Sequence, residues 1–401
     1  MKKILIISQN KSLRGGYKAA VELGKALKTS EVNKVKFFTE VDAKNKKVSF
    51  LKIRLFKLIN KFMKLTFINN NDITNTLPQI FKFYDHKKES HDIVLVNFIY
   101  EFLSVKDIIL FRKPTLIFIH DMWFMGGIKH YFEKSLLKKN IKINSLNFYE
   151  IFNYIAWKFK MKFLNLNKKL IFVASSNWLK KQASSSLMLR NHKVEKIYTP
   201  VNVLFWKKLD KRESRKKLNL PLNKKLILFV AKNGLKNFRK GGDIFSKIIN
   251  SFKNQDEINF VVFGQSIPRN KKVEKNLYYL SFKDDEKKLR YLYNSADITI
   301  CLSRYENIPY SMIESMSCGI PNISTNVGGI NEIILHKKNG WLLKNQSINQ
   351  LKKSIFWCLN KKNYRKLSKN SIFHVKKEFS YVKILKDYNK LNKFIDKNEI
   401  N

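Results

Sequence analysis

Residues 303–329 read SRYENIPYSMIESMSCGIPNISTNVGG and set two carboxylates, Glu306 and Glu314, eight positions apart. In front of them, Ala296 to Leu302 (ADITICL) is a short, β-branched apolar run of the kind that fills a buried parallel strand. Ser303 to Asn307 then switch to polar turn residues, which puts Glu306 at the carboxyl end of a strand. Pro309 suits the first turn of a helix, where its missing N–H costs nothing, and Tyr310, Ile313, Met316 and Ser317 follow with helical spacing until Gly319 ends it. Glu314 falls inside that helix, about one turn from its start. Gly328 and Gly329 make a further glycine turn. Sheets built from such strand-loop-helix units bind ligands outside their strand ends, where helix N-termini favour phosphate. Carboxylates placed there can accept hydrogen bonds from the hydroxyls of a bound ligand. Taken alone, the same spacing is more simply a capped helix start with a surface glutamate.

The unit recurs along the chain. Lys3 to Ser8 reads as a buried strand, Leu13 to Gly16 as a glycine turn and Tyr17 to Leu27 as an amphipathic helix. Further strands are expected at Val35 to Phe38, Asp92 to Asn97, Pro114 to Ile119, Leu170 to Val173 and Lys196 to Thr199. A second series begins at Lys225 to Ala231 and continues at Asn259 to Gly264, Leu277 to Ser281, Ala296 to Leu302, Ile320 to Thr325 and Gly340 to Leu343. Strands alternating with helices predict an α/β class with a parallel sheet covered on both faces. Two series predict two doubly wound, Rossmann-like domains, at residues 1–200 and 207–378. Thr199 to Trp206 (TPVNVLFW) reads as the hinge, the basic segment Lys207 to Leu220 follows it, and Ser380 to Asp396 reads as a last helix within residues 379–401.

A chain of 401 residues with 44% hydrophobic content has ample core for two or three domains. Its net charge of +48 would ordinarily suggest nucleic acid or an anionic membrane. Counting Lys and Arg against Asp and Glu, residues 1–200 and 201–401 each carry +24, so the charge is spread rather than gathered on one face. That evenness, with no recognisable base-reading motif, argues against a nucleic-acid partner. Cys301, Cys318 and Cys358 form no C-x-x-C pair, so neither a disulfide framework nor a zinc site is signalled, and a reducing cytoplasm fits. MKKILIISQN reads as a first strand rather than a signal peptide. No apolar run approaches the ~18 residues needed to cross a bilayer, so membrane association would be peripheral. Leu51 to Leu65 (LKIRLFKLINKFMKL) gathers Leu51, Leu55, Leu58, Ile59 and Phe62 on one helical face and Arg54, Lys57, Lys61 and Lys64 opposite. Such a helix suits an anionic lipid surface, and it equally suits a core with a solvated lysine face.

Several other strand ends carry polar groups. Gly15 and Gly16 follow the first strand, where glycine lets the backbone approach a ligand closely. His120 and Asp121 emerge after Pro114 to Ile119, and Gly126-Gly127 allow a tight, ligand-approaching turn behind them. Phe229 to Asp243 (FVAKNGLKNFRKGGD) supplies Arg239, Lys240, Gly241 and Gly242, a cation pair beside a glycine turn that suits a pyrophosphate. Val262 to Gln265 and Leu280 to Lys283 end two more strands. Asp284-Asp285-Glu286 reads as helix capping before Lys287 to Asn294 rather than as a metal site, and no metal is expected.

Together these segments resemble the retaining glycosyltransferases of family 4. Glu306, Asn307, Pro309, Glu314-Ser315-Met316-Ser317-Cys318-Gly319-Ile320-Pro321 and Gly328-Gly329 are similar to that family's E, N-x-P, E-A-M-A-C-G-x-P-V and G-G series, with serines at the two alanines. HDMWFMGGIKHY, residues 120–131, looks like the H-D-M-W-x-F-T-G-G-C-H-Y motif of a branch acting on exopolysaccharide and lipopolysaccharide sugars, with Met125 for Thr and Ile128-Lys129 for Cys. The cysteine cluster that often follows that motif is missing. Tyr17-Lys18-Ala19-Ala20 matches the family's G-G-A-A-R-A turn loosely.

The resemblance covers Gly15 to about Leu343. It implies the GT-B fold, two such domains facing across a cleft, with the last helix crossing back to the first domain. It further implies a metal-independent retaining transferase that uses a nucleoside-diphosphate sugar and no other cofactor. The acceptor would be a bacterial surface glycan, free or lipid-linked, met in the cytoplasm at the inner face of the plasma membrane. By the same resemblance His120 contacts the donor sugar with Asp121 in support, and Glu306 holds the sugar hydroxyls. Arg239 and Lys240 hold the pyrophosphate, Glu314 the ribose, and Gly15, Gly16, Asn307, Ile308 and Pro309 line the donor, with Gly328 and Gly329 supporting. The resemblance also implies an approach of Ser281, Phe282 and Lys283 to the nucleobase. A nucleotide-sugar epimerase or hydrolase on the same architecture is the alternative, told apart by conversion of donor without acceptor. A dinucleotide oxidoreductase is disfavoured, because Gly15-Gly16 form no G-x-G-x-x-G.

Overall fold

The computed structural model describes residues 2–9, 15–39, 91–97, 99, 103–133, 137–139, 148–167, 169–266, 275–282 and 285–397. The Leu51–Leu65 segment, Lys283 and Asp284 lie outside them. The chain forms two compact units, Met1–Pro200 with Ile384–Asn401, and Val201–Lys383.

In the first unit the strands β1 (Lys2–Ser8), β2 (Asn33–Thr39), β3 (Ile93–Val96), β4 (Thr115–Ile119), β5 (Ile171–Ala174) and β6 (Lys193–Lys196) form one sheet in the order β2-β1-β3-β4-β5-β6. Every pairing is parallel. The apolar runs IVLV and IFVA are buried along their whole length, as strands covered on both faces must be. The order reverses direction between β1 and β3, where doubly wound sheets open a crevice beyond their strand ends. The expected strand at Lys196 to Thr199 lies three residues earlier, at Lys193–Lys196 (KVEK). It is an edge strand whose polar alternation carries little of the apolar signal by which the inner strands are read. The first helix is Gly15–Lys28, so the two glycines open the helix instead of preceding it. The last helix, Tyr381–Lys397, belongs from Ile384 onward to this unit. There Lys2 Nζ donates to Asn392 Oδ1 at 3.0 Å and meets Asp396 Oδ1 at 2.6 Å, while the Lys193 ammonium sits 2.8 Å from the centre of the Phe394 ring.

In the second unit β7 (Lys225–Val230), β8 (Ile258–Phe263), β9 (Leu277–Leu280), β10 (Ile298–Cys301), β11 (Asn322–Thr325) and β12 (Gly340–Leu343) form a second parallel sheet, ordered β12-β11-β10-β7-β8-β9. Its direction reverses between β7 and β10. Arg215 anchors the entering chain: its guanidinium donates to the Ser295, Pro221, Leu222 and Lys224 carbonyls and meets Asp297 Oδ2 at 2.8 Å, while Asp297 also accepts from Leu226 N. A buried guanidinium is tolerable only with its donors so engaged.

Helix Tyr310–Ser317 ends in a Schellman motif, with Gly319 at φ +79°, Gly319 N donating to Met316 O and Ile320 N to Ser315 O. Pro309 stands at its N-cap, one residue before the first turn. Ser315 and Ser317 are both buried. Ser315 Oγ donates to Met312 O at 3.0 Å and accepts from Asn322 Nδ2 at 3.0 Å, and Ser317 Oγ donates to Trp206 O. The two serines are thus accommodated in the buried helix with their hydroxyls satisfied.

Candidate functional site

In the second unit the loops after β7 and β10, the neighbours at the reversal, meet through their side chains. Lys240 Nζ forms an ion pair with Glu306 Oε2, and Arg239 Nη1 lies 3.6 Å from the same oxygen while donating to Tyr305 O at 3.0 Å. Arg304 N donates to Arg239 O at 2.8 Å. Arg304 grips Asp243 through two bonds of 2.8 Å and stacks its guanidinium 3.6 Å from the centre of the Phe238 ring. Those two bonds hold the Asp243 carboxyl below its usual range. The two loops are therefore cross-braced by reciprocal arginine contacts.

Glu306 is 8% exposed. Burial raises its pKa, but the charges of Lys240 and Arg239 and hydrogen bonds from Lys240 and the Asn307 backbone outweigh it, leaving the carboxyl below its usual value. It is a carboxylate at neutral pH, an acceptor rather than an acid.

Glycine is required around this cluster by backbone contact. Gly241 (φ +78°) and Gly242 carry the turn into helix Gly242–Asn250, and a Cβ on Gly241 would lie 2.6 Å from Leu302 Cβ. At Gly328 (φ +58°) a Cβ would overlap the Glu306 carbonyl oxygen, so the glycine turn after β11 is seated directly on the backbone of the first glutamate. Gly329 caps the short helix Ile330–Ile333. Asn307 is buried, Ile308 partly so, and Pro309 leads into the helix carrying Glu314. Glu314 is 2% exposed, and its Oε2 accepts from Tyr293 Oη at 2.9 Å. Ser281 and Phe282 follow β9, with the Phe282 ring 4.6 Å from that of Phe263. Asp285 caps helix Glu286–Ser295 by accepting from Lys288 N at 2.9 Å, the capping role its spacing suggested. Among the described residues no group of three or more His, Cys, Asp or Glu is placed to hold a metal ion.

In the first unit the reversal lies between β1 and β3, and the described residues that follow these two strands are neutral. Gln9 follows β1 and Asn97 follows β3, at 0% and 1% exposure. Neither amide atom of Gln9, nor Nδ2 of Asn97, has a hydrogen-bond partner. His120, after β4, brings Nε2 to 3.3 Å from Asn97 Oδ1. Burial pushes the His120 pKa down to about 4, against the Asp121 charge, which raises it. Gly15 (φ +61°) has open space where a Cβ would stand, with Gly16 behind it in the helix.

The turn after His120 is held from within the protein. Asp121 accepts from Trp123 N at 2.9 Å and from His130 Nδ1 at 2.7 Å. Lys160, fully buried on helix Phe148–Leu166, donates to Trp123 O and places its ammonium 3.6 Å from the centre of the Trp123 indole. Burial drives the Lys160 pKa well below the usual lysine range, with Asp121 opposing. Gly126 and Gly127 approach protein, not open space: a Cβ on Gly126 would lie 2.6 Å from Phe132 Cε1, and one on Gly127 would overlap Asn153, whose Oδ1 accepts from Ile128 N at 3.0 Å. The expectation of a ligand-approaching turn there gives way to close packing against Phe132 and Asn153.

Asn97, Gln9, His130, Lys160 and the Arg304–Asp243 pair were not singled out from the sequence. Asn97 had one usable signal, a polar residue closing an otherwise apolar strand. Lys160 had another, a lysine in helical register with Trp157 and Leu164, both buried.

Two parallel, doubly wound sheets of this kind define the GT-B fold. The chain matches sucrose-phosphate synthase from Thermosynechococcus elongatus with a TM-score of 0.68 at 17% identity, over 99% of this chain and 100% of that one. HepE from Anabaena, solved with UDP-glucose, matches with a TM-score of 0.61 at 14% identity, over 98% and 100%. At these identities the likeness is one of fold. The sequence model of the family described as Glycosyl transferases group 1 matches residues 210–372, so the second unit carries a group 1 glycosyl transferase domain. An uncharacterised glycosyltransferase of Methanocaldococcus jannaschii is 26% identical over 194 residues, 45% of this chain and 48% of that protein. The chain spans about half the length of the curated relatives it matches.

Proposed function

We propose that the chain is a family 4 retaining glycosyltransferase that moves a sugar from a nucleoside diphosphate onto a growing bacterial surface glycan. The observation that carries this reading is the Lys240, Arg239 and Glu306 cluster at the reversal of the second sheet. Two cations against one carboxylate leave a net positive charge beside a helix start, which suits a diphosphate without a metal. HepE's complex with UDP-glucose supports a nucleotide sugar as the donor class.

In this reading Arg239 and Lys240 take the pyrophosphate and stabilise the charge that builds on it as the bond to the sugar breaks. The ionised Glu306 accepts from sugar hydroxyls, Glu314 from the ribose, and His120 meets the donor sugar as a neutral ring. Gly15, Gly16, Asn307, Ile308 and Pro309 line the donor, Gly328 and Gly329 support it, and Ser281, Phe282 and Lys283 approach the base. Retention follows the family resemblance: the new bond from C1 to the acceptor oxygen forms on the face from which the phosphate leaves, and the acceptor proton passes to a phosphate oxygen. The exopolysaccharide and lipopolysaccharide branch, with its cytoplasmic work at the inner membrane face, rests on the residue 120–131 motif and on the basic character of Leu51–Leu65. Among the described residues no helix is long and apolar enough to cross a membrane.

The test is incubation of the protein with a panel of nucleoside-diphosphate sugars and lipid-linked or free glycan acceptors, reading the product anomer by NMR. Transfer with the donor's anomeric configuration is expected. Inversion, or rapid conversion of donor without acceptor, would contradict the reading.

A further inference from the structure

We propose that Asn97 is a positioning residue for His120: its Oδ1 accepts the Nε2 proton at 3.3 Å and so holds the ring in the Nε2–H tautomer. A carbonyl oxygen can only accept, so the facing ring nitrogen must carry hydrogen and Nδ1 must be the lone-pair nitrogen.

Three observations support a dedicated role. First, Asn97 is costly where it stands, since its Nδ2 is buried without a partner, and a group that leaves one donor unmade is not there for stability. Second, the nearest carboxylate is directed elsewhere. Asp121 adjoins His120 in sequence, yet its oxygens take Trp123 N and His130 Nδ1, so the ring's strand-end partner is a neutral amide. Third, burial already disfavours the charged ring, and a neutral partner does not reverse that. Among the described residues the ionisable groups around this turn are Asp121 and His130 on its own loop and, from helix Phe148–Leu166, Lys160 against Trp123. His120 is thereby a fixed hydrogen-bonding ring rather than an acid or base. Its consequence for transfer rests on the sugar-contacting role proposed above.

The tautomer is read on the intact protein by 15N NMR of the His120 ring, which needs no substrate. A protonated Nε2, an unprotonated Nδ1 and no titration of the ring above about pH 5 are expected. Asn97→Asp should raise the ring's midpoint by about 1–3 pH units, as an adjacent carboxylate does. Asn97→Leu, which removes the orphaned amide and should fold, should mix the two tautomers. It should lower kcat about tenfold or more while leaving nucleoside-diphosphate affinity unchanged. A parent ring protonated on Nδ1, or a tautomer unmoved by Asn97→Leu, overturns the proposal. If the tautomer responds as expected but neither Asn97→Leu nor His120→Ala alters transfer, the positioning stands and the sugar-contacting role falls.

Discussion

The two sheets reverse direction at equivalent places, and the described residues at the two reversals are opposite in kind. Beyond β7 and β10 stand Arg239, Lys240, Arg304, Asp243 and Glu306, ion-paired and cross-braced. Beyond β1 and β3 stand Gln9 and Asn97, buried amides with unmet hydrogen-bonding capacity, joined by the neutral ring of His120. Topology fixes where a doubly wound sheet can bind, and side-chain chemistry fixes what. A charged reversal suits an anion, whereas a neutral one suits hydroxyls, because an amide or an uncharged imidazole offers directional hydrogen bonds without attracting charge.

Breaking the charged reversal should give the largest effect. Lys240→Ala removes the closest cation from Glu306, and transfer measured as kcat/KM should fall by ~10²–10³, the scale of losing one preorganised donor to developing charge. Steady-state kinetics on purified variants checks it.

The neutral reversal should show itself in the pH dependence of stability. His120 falls from 6.5 in the unfolded chain to about 4 in the fold, so the unfolded state binds the extra proton between those values. Stability must then decline as pH falls from about 6.5 towards 4, by about 3 kcal/mol from this ring at ~1.4 kcal/mol per pH unit. Denaturant titrations across that range should show a shallower decline for His120→Gln than for the parent.

The glycines sharpen the contrast. Gly328→Ala forces a methyl into the Glu306 carbonyl at a positive φ and should cost about 2–3 kcal/mol. Gly15→Ala meets only the backbone term, about 1 kcal/mol, because the space beside it is open. Thermal unfolding of both variants tests the ordering. The smallest effect is expected at Gln9, where Gln9→Met removes an unpartnered buried amide at nearly constant volume and should leave stability unchanged or raise it by about 1 kcal/mol.

Most of the parallel sheet was legible because its inner strands are continuous apolar runs ending in polar or glycine residues; Ile298–Cys301 falls inside the Ala296 to Leu302 run. Lys193–Lys196 was misplaced because an edge strand need not be apolar. Of the candidate site, Glu306 announced itself as a charge in the polar turn after a strand, and Lys240 as a charge beside a glycine turn. Their pairing could not be read, because it depends on β7 and β10 being neighbours although 67 residues separate Val230 from Ile298. The signals at Asn97 and Lys160 were weak for a related reason: an amide at a strand end or a lysine on a helix becomes informative only when burial shows what it faces.

The central claim is that the reversal between β7 and β10 receives a nucleoside diphosphate, and calorimetric titration with UDP, GDP and ADP tests it most directly. At least one should bind, Lys240→Ala should weaken that binding tenfold or more, and the affinity should fall with added salt as a charge-based contact must. No binding by any of the three, or equal binding by Lys240→Ala and the parent, would contradict the account.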